Sequence, residues 1–333
     1  MLGILDGTVL PADQVQIPAT DEGLLRGDGV FEVMRLYDGR PFAVDDHLER
    51  MERSARNLLL PIDVAAVRAD IDALLEAGRP TGDGVLRVLV TRGGRRIGFI
   101  EPFPNLPDTL AVKTITYAPT RILDGVKSLS YGANMLATRL AKAEGADEAL
   151  LVTPHGRVLE APTSSFFCSF DGRTLVTPPL DDHVLDSITR RRLLMVCEIA
   201  ERPIAVDELA GVQEAFLAST VREVLPVHSI DGRAVAVGGA LTRDADERVR
   251  AQIAQELGAA ARGAPLPLPP SRAKRALARR HRHREPAAVR QGGGGLARAA
   301  RRARRAARPH RPAPRRRAQH RVRRRARRPA AGA

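Results

Sequence analysis

Apolar positions along the chain recur at two periods. At the strand period, VFEVMRLYDGRPFAV (30–44) sets two apolar runs either side of Asp38-Gly39, a dipeptide suited to the positive φ of a tight turn, and predicts a hairpin. VLRVLVTRGG (85–94) and TLAVKTITYAP (109–119) read as further strands. At helical spacing, Leu48, Met51, Ala55 and Leu58 fall on one stripe of DDHLERMERSARNLLLP; Asp45 or Asp46 can cap this helix and Pro61 stops it. DVAAVRADIDALLEAG (63–78) predicts a second amphipathic helix, ended by Gly78.

A second region begins near Val126. It opens with a helix over about 132–144, closed at Gly145. A β-meander is expected next: EALLVT, a turn at Pro154-His155-Gly156, RVLE, SSFFCSF, a second Asp-Gly turn at 171–172, and RTLVTPP. Then come a helix from about Ser187 to Glu201, a strand EAFLAST (214–220) and a last helix near 242–258. Strands and helices mix without regular βαβ repetition, so the class is α+β. The chain divides into a small domain over 1–120, a larger one over 121–260 and a tail over 261–333.

Charge changes the picture of the tail. The chain carries +14 overall, but residues 261–333 alone hold 24 Arg, one Lys and one acid. That leaves 28 bases and 38 acids for residues 1–260, a net of −10. The body is acidic, and an argument from overall charge would give it the wrong sign. The tail is almost wholly Arg, Ala, Pro, Gly and His, cannot bury a core, and is expected to be disordered. Three readings compete for it: a nucleic-acid arm, a solvated tail without a partner, or out-of-frame translation of GC-rich DNA. It has no aromatic residue to stack on bases, which counts against the first. Cys168 and Cys197 lie in apolar runs without a C-x-x-C pair and read as small buried hydrophobes in a reducing compartment. With neither a signal-like start nor a stretch of about 20 apolar residues, a soluble cytoplasmic protein is expected.

Candidate chemistry begins with lysine. Among 53 basic residues only Lys113, Lys127, Lys142 and Lys274 are lysines. An arginine stays protonated and cannot form an imine; a lysine can lose its proton and attack a carbonyl. Lys127, ahead of a serine-rich turn and a helix, is therefore a candidate Schiff-base residue. A cofactor such as pyridoxal 5'-phosphate (PLP) also needs amide donors for its phosphate, a cation, and a carboxylate beside its ring nitrogen. Ser187-Ile188-Thr189 at a helix start and Ser219-Thr220 at a strand end offer amides and hydroxyls. Arg50 is a candidate cation. Glu160, before the small-residue turn Ala161-Pro162-Thr163-Ser164-Ser165, is a candidate carboxylate.

Four ordered blocks carry a resemblance. They are RGDGVFEVMRLYDG (26–39) with HLERMERSA (47–55), VKSLSY (126–131) with AKAEGADEALLV (141–152), VLEAPTSSFF (158–167), and ITRRRLL (188–194) with STVREVLPV (219–227). Over about residues 3–258 the chain resembles the class IV, fold-type IV, PLP-dependent enzymes: branched-chain and D-amino-acid aminotransferases, with aminodeoxychorismate lyase. The resemblance implies that Lys127 is the Schiff-base lysine and proton shuttle, and that Glu160 pairs with the pyridine nitrogen. It implies that Arg50, from the H-x-x-R pattern, binds phosphate with Ile188, Thr189 and Thr220. It further implies a homodimer with a cleft between a small and a large domain.

Two features depart from the family. Its common E-G-x-x-S-N reads Glu160-Ala161-Pro162-Thr163-Ser164-Ser165 here, so glycine and asparagine are absent. Phe31 stands where the D-amino-acid enzymes often have Tyr, which disfavours D-amino acids. Phe31, Tyr131 and Arg96 (from TRGGRR, with Arg92 and Arg95) are candidates to meet substrate. Arg26-Gly27-Asp28 falls inside a family block rather than marking adhesion. Asp181-Asp182-His183 reads as a polar loop before a helix, and no metal is expected. The implied activity is transamination between an amino acid, of the branched-chain class, and a 2-oxo acid such as 2-oxoglutarate. Aminodeoxychorismate lyase is the alternative on the same scaffold. Nucleic-acid binding through the tail is the alternative of another class.

Overall fold

The computed structural model describes residues 1–261. The tail from residue 262, with its expected disorder and its nucleic-acid reading, lies outside the described residues.

The first sheet has six strands in the order β2-β1-β6-β5-β3-β4. They are β1 (Leu2–Leu5), β2 (Thr8–Pro11), β3 (Gly29–Tyr37), β4 (Arg40–Pro41), β5 (Gly84–Thr91) and β6 (Arg96–Pro102), with α1 (Glu22–Arg26), α2 (Val44–Asn57) and α3 (Val64–Gly78). All its pairings are antiparallel. Period-two alternation sorts its residues. Val30, Met34 and Leu36 of β3 and Leu86, Val88 and Val90 of β5 join Met51, Ile71 and Leu74 of α2 and α3 in one buried cluster. Each such large side chain contributes about 1.5–3 kcal/mol by leaving water. The opposite faces of β3 and β5 turn away from that core, toward the cavity described below.

The second sheet runs β11-β10-β9-β12-β13-β7-β8, with β14 paired to β13. Its strands are β7 (Leu110–Thr116), β8 (Glu148–Val152), β9 (Ser165–Ser169), β10 (Leu175–Thr177), β11 (Ile199–Glu201), β12 (Glu214–Ser219), β13 (Glu223–Ile230) and β14 (Arg233–Ala234). Its helices are α4 (Gly132–Ala143), α5 (Ile188–Val196) and α6 (Ala240–Ala261). The change of sheet falls between Pro102 and Leu110, ahead of a division at residue 120, because β7 pairs with β8 and β13.

The expected meander forms only in its second half, where β9 and β10 pair antiparallel across the turn at 171–172. β8 is parallel to β7, and every residue in it is buried. Such a strand carries near-continuous apolar sequence and offers no alternation to assign a partner. RVLE makes only isolated bridges, Val152 with Val158 and Arg157 with Ala205. The helix expected to reach Glu201 stops at Val196, and Ile199–Glu201 instead adds parallel to β10. α2 is not capped by Asp45 or Asp46. Ala43, at φ 56, is its N-cap and the two aspartates sit in the first turn, where they favour the helix dipole. Gly78 is the last residue of α3, and Arg79 at φ 38 takes the left-handed position after it. Among the described residues no helix is long and apolar enough to cross a membrane. Cys168 is buried and Cys197 half-buried, both as free thiols.

Candidate active site

A cavity of about 800 Å³ opens between the two sheets. The outward faces of β3 and β5 supply Phe31, Val33, Arg87 and Leu89 to one wall. Glu160, Ser165, Ser187, Ser219 and Thr220 come from the other side, and Lys127 reaches in between.

The backbone places Lys127 there. Its carbonyl accepts the Phe31 amide (3.2 Å), and the Leu129 amide donates to Gly29 O (2.9 Å), so the segment lies along the start of β3. Gly29 makes this approach possible: a Cβ there would fall 2.4 Å from Val90 O and 2.6 Å from Leu129 Cδ1. Ser54 Oγ of α2 accepts the Lys127 amide at 3.1 Å. The Lys127 ammonium nitrogen makes no ion pair among the described residues. It lies 3.4 Å from Tyr131 Oη and 4.1 Å above the Phe31 ring. Phe31 and Tyr131 meet edge to face at 5.0 Å and form a collar around the amine. Burial, then the positive charge of Arg50, lowers the Lys127 pKa to about 8. The other described lysines do not resemble it: Lys113 pairs with Glu144 at 3.0 Å, and Lys142 is exposed.

Glu160 is the mirror case. One carboxylate oxygen accepts the Leu185 amide at 2.8 Å, yet burial pushes its pKa up to about 7 against that bond. Burial, then Glu160, also raises the Tyr131 phenol. Tyr117, on the same wall, is raised by burial and by Glu160 as well.

Arg50 enters from α2 with its charge compensated. Its Nε and Nη2 donate to the two oxygens of Glu32 at 2.7 and 2.6 Å, and His47 Nδ1 donates to the same carboxylate at 2.7 Å. Glu32 lies on the core face of β3, where a carboxylate is anomalous until His47 and Arg50, three apart on α2, are seen above it. Burial works against its charge, but Arg50 outweighs it and Glu32 is held near 2. Burial keeps His47 neutral.

α5 presents its N-terminus to the cavity. Ser187 is its N-cap and accepts the Arg190 amide at 3.3 Å, ahead of which stand the amides of Ile188 and Thr189, without carbonyls to receive them inside the helix. The Ile188 and Thr189 side chains themselves are buried. Thr220 lines the cavity from the turn after β12.

Arg96 is not in this site. It donates to Asp70 of α3 at 2.7 Å, on the other face of the first sheet. Arg95 pairs with Asp6, and Arg92 with Asp28 and the carbonyls of Leu58 and Leu59. All three arginines are spent on neighbouring acids and carbonyls. The Asp28 of Arg26-Gly27-Asp28 is thus a structural partner, and Gly27 at φ 67 caps α1. The cavity arginines missed in the sequence are Arg87, on β5 next to the strand that carries Arg96, and Arg222. Alternation in VLRVLVT could have found Arg87, since it falls out of phase with the core residues Leu86, Val88 and Val90. Glu32 and His47 were also missed; a Glu inside an apolar strand was the available signal. His183 and Asp124 face each other at the cavity rim, 3.2 Å apart. Among the described residues no group of three or more side chains could hold a metal.

The donor set fits PLP: a lysine amine lowered toward neutrality and without an ion pair among the described residues, a half-buried carboxylate, helix-terminal amides and a pre-paired guanidinium. The amino-transferase class IV family model matches residues 29–230. A protein from Methanocaldococcus jannaschii, named as a branched-chain-amino-acid aminotransferase, is 32% identical over 256 residues, 69% of this chain and 88% of its own. A Mycobacterium tuberculosis protein, named as a bifunctional aminodeoxychorismate lyase and D-amino acid transaminase, is 29% identical over 70% of this chain and 92% of its own. The solved structure of a fold IV-transaminase from Curtobacterium pusillum superposes with a TM-score of 0.67 at 30% identity, covering 73% of this chain and 92% of that one. The chain belongs to the class IV aminotransferase family, the PLP-dependent enzymes of fold type IV.

Proposed function

We propose that this chain transfers an amino group between a branched-chain amino acid and a 2-oxo acid such as 2-oxoglutarate. The observation that carries the reading is Lys127. It is the one described lysine facing the cavity, it has no ion-pair partner among the described residues, and its pKa is lowered to about 8. PLP, when bound, supplies an aldehyde carbon and a ring able to take up the electrons of a bond to the substrate's Cα. The Lys127 amine is the nucleophile toward that carbon and, once free, carries the Cα proton at Nζ as base and then acid. Tyr131 Oη, 3.4 Å from Nζ, steers the amine and shares that proton. Glu160, with its carboxylate anchored by the Leu185 amide, would serve as the partner of the ring nitrogen. Arg50, the Ile188 and Thr189 amides and Thr220 would hold the phosphate.

Phe31, Val33 and Leu89 give the substrate wall an aliphatic and aromatic lining, which supports a branched aliphatic donor. Arg87 takes the role first sought in Arg96. Its guanidinium is paired with Glu101 at 2.6 Å but remains partly exposed on the cavity wall, available to a second carboxylate. Arg87→Ala is expected to raise KM for 2-oxoglutarate about tenfold, one charge-assisted contact, with little change for the donor. The homodimer implied by the family is supported by apolar side chains left outside, among them Leu136 and Leu140 of α4 at 49% and 46% exposure.

The test is an amino-donor panel on purified, PLP-loaded protein, scored by keto-acid formation with 2-oxoglutarate and including D-alanine and aminodeoxychorismate. Preference for leucine, isoleucine and valine is expected. Preference for D-alanine, or pyruvate release from aminodeoxychorismate without an acceptor, overturns the substrate assignment and leaves the family intact.

A further inference from the structure

The turn that departs from the family is braced by an arginine. Ala161 and Ser164 close Pro162-Thr163 into a tight turn by exchanging backbone bonds of 2.9 and 3.3 Å. Two outside donors grip it. Asn134 Nδ2 of α4 donates to Pro162 O at 3.1 Å. Arg222 Nη1 donates to Ser164 Oγ at 2.9 Å. The other arm of that guanidinium, Nη2, donates to Glu148 Oε2 at 2.8 Å, and Glu148 Oε1 accepts from Thr138 Oγ1 of α4 at 2.6 Å. Glu148 is 4% exposed, so its charge needs the arginine. At the backbone, Arg222 belongs to the Ser219–Arg222 turn, where its amide donates to Ser219 Oγ at 3.3 Å.

Both turns, Ala161–Ser165 and Ser219–Arg222, line the same cavity, and Arg222 lines it between them. One planar fork thus joins the wall that follows Glu160 to the wall that carries Thr220, and through Glu148 to the helix that begins beside Tyr131. We propose that Arg222 is a positioning residue: its two-armed bond to Ser164 and Glu148 sets the width of the substrate end of the cavity. The inference rests on the transaminase reading of that cavity. It concerns the wall rather than the cofactor: the phosphate donors on α5 and Arg50 do not touch this network, and Thr220 shares its turn with Arg222 through the backbone, whose bond from the Arg222 amide to Ser219 Oγ does not depend on the guanidinium. Lysine cannot substitute. A single ammonium can neutralise Glu148 but cannot span both acceptors with fixed geometry.

That asymmetry supplies the test. Arg222→Lys keeps Glu148 paired and is expected to fold; Ser164→Ala removes only the acceptor on the turn. Holoenzymes of the parent, both single variants and the double variant are compared in three ways. These are the PLP dissociation constant, the KM and kcat for leucine, and the dissociation constant of isocaproate, the leucine skeleton without its amino group. The parent must bind PLP and turn over leucine; if it does neither, the functional reading itself fails. Given that, Arg222→Lys should raise leucine KM and isocaproate Kd about tenfold, with kcat and PLP affinity within about threefold of the parent. Those bounds are the scale of losing one charge-assisted bond. Ser164→Ala should move the same quantities by less, and the double variant should match Arg222→Lys alone, since both remove one contact. Unchanged isocaproate affinity in Arg222→Lys overturns the proposal. So does additivity of the two substitutions, or a loss of PLP affinity that parallels the loss of leucine binding.

Discussion

The two charged clusters that meet at the cavity are built on opposite rules. On the α2 side every charge has its counter-charge: Arg50 is gripped by Glu32, and Glu32 also receives His47, all within 2.7 Å. Glu32 is held near 2 and Arg50 is raised above its ordinary value. Neither changes protonation at any working pH. On the opposite side, Lys127 and Glu160 are half-buried without a paired ion among the described residues, and their pKa values converge on about 8 and about 7. The first cluster can hold an anion and cannot move a proton. The second is poised to move one and is poor at holding anything. Pairing or withholding a counter-ion is enough to divide binding from proton transfer within one cavity.

Removing the amine tests the division most severely. Lys127→Ala is expected to lower turnover by ~10⁴-fold or more, the upper range for a positioned proton carrier, and to abolish the borohydride-reducible link to PLP. A fixed PLP adduct on Lys113 or Lys142 in that variant would mean the wrong lysine has been assigned. The next largest effect belongs to the compensated side. Glu32→Gln leaves Arg50 buried without its counter-ion, which costs about 3–5 kcal/mol of stability. The readout is the chemical-denaturation midpoint of the holoprotein, with PLP retention on dialysis falling in step. A variant as stable as the parent would show that Arg50 does not depend on Glu32.

Glu160→Gln should behave the other way. It exchanges an uncompensated carboxyl for a neutral isostere, so the fold and bound PLP should survive while turnover falls ~10²-fold, the scale of one electrostatic partner. Full activity would mean that another carboxylate serves the ring nitrogen.

How much of this was legible follows from the same physics. The residues proposed for the chemistry each carried a local signal: a lysine in an arginine-rich chain, a glutamate before a turn, serine and threonine at a helix start. The elements with clear alternation or helical spacing, β3, α2, α3 and α4, stood where the pattern placed them. β8 lies where EALLVT reads as a strand, but its partner was missed, because a strand buried on both faces shows no alternation to assign one. The arginines were misread for another reason. Arg96 and Arg87 lie on adjacent strands of one sheet, and the cavity is on one face only; a one-residue change of phase separates a cavity residue from a partner of Asp70. Arg222 gave no local signal at all. Its partners Ser164 and Glu148 are 58 and 74 residues away, so only the assembled sheet brings them together.

The smallest effect is on stability, and its pH dependence separates the two uncompensated groups. Folded Lys127 gives up its proton near 8, against an ordinary 10.5. Between those values the unfolded chain binds the extra proton, so stability rises with pH across that window. Below pH 8 the buried ammonium carries its full penalty. In cofactor-free protein, Lys127→Met should therefore raise the melting temperature most below about pH 8, with the gain fading toward pH 10.5. Glu160 runs in the opposite sense. Folded, it keeps its proton up to about 7, against an ordinary 4.5, so stability falls as pH climbs between them. Glu160→Gln should stabilise most above about pH 7 and hardly at all near pH 4.5. Both side chains border an open cavity that screens them, so each gain should be on the order of 1 kcal/mol, about 2–4 °C in Tm. Calorimetric scans of the two variants and the parent from about pH 4.5 to about pH 10.5 check this. Parallel curves for the two variants, or a Lys127→Met gain that persists at pH 10.5, would contradict the assignment of opposite burdens to these two groups.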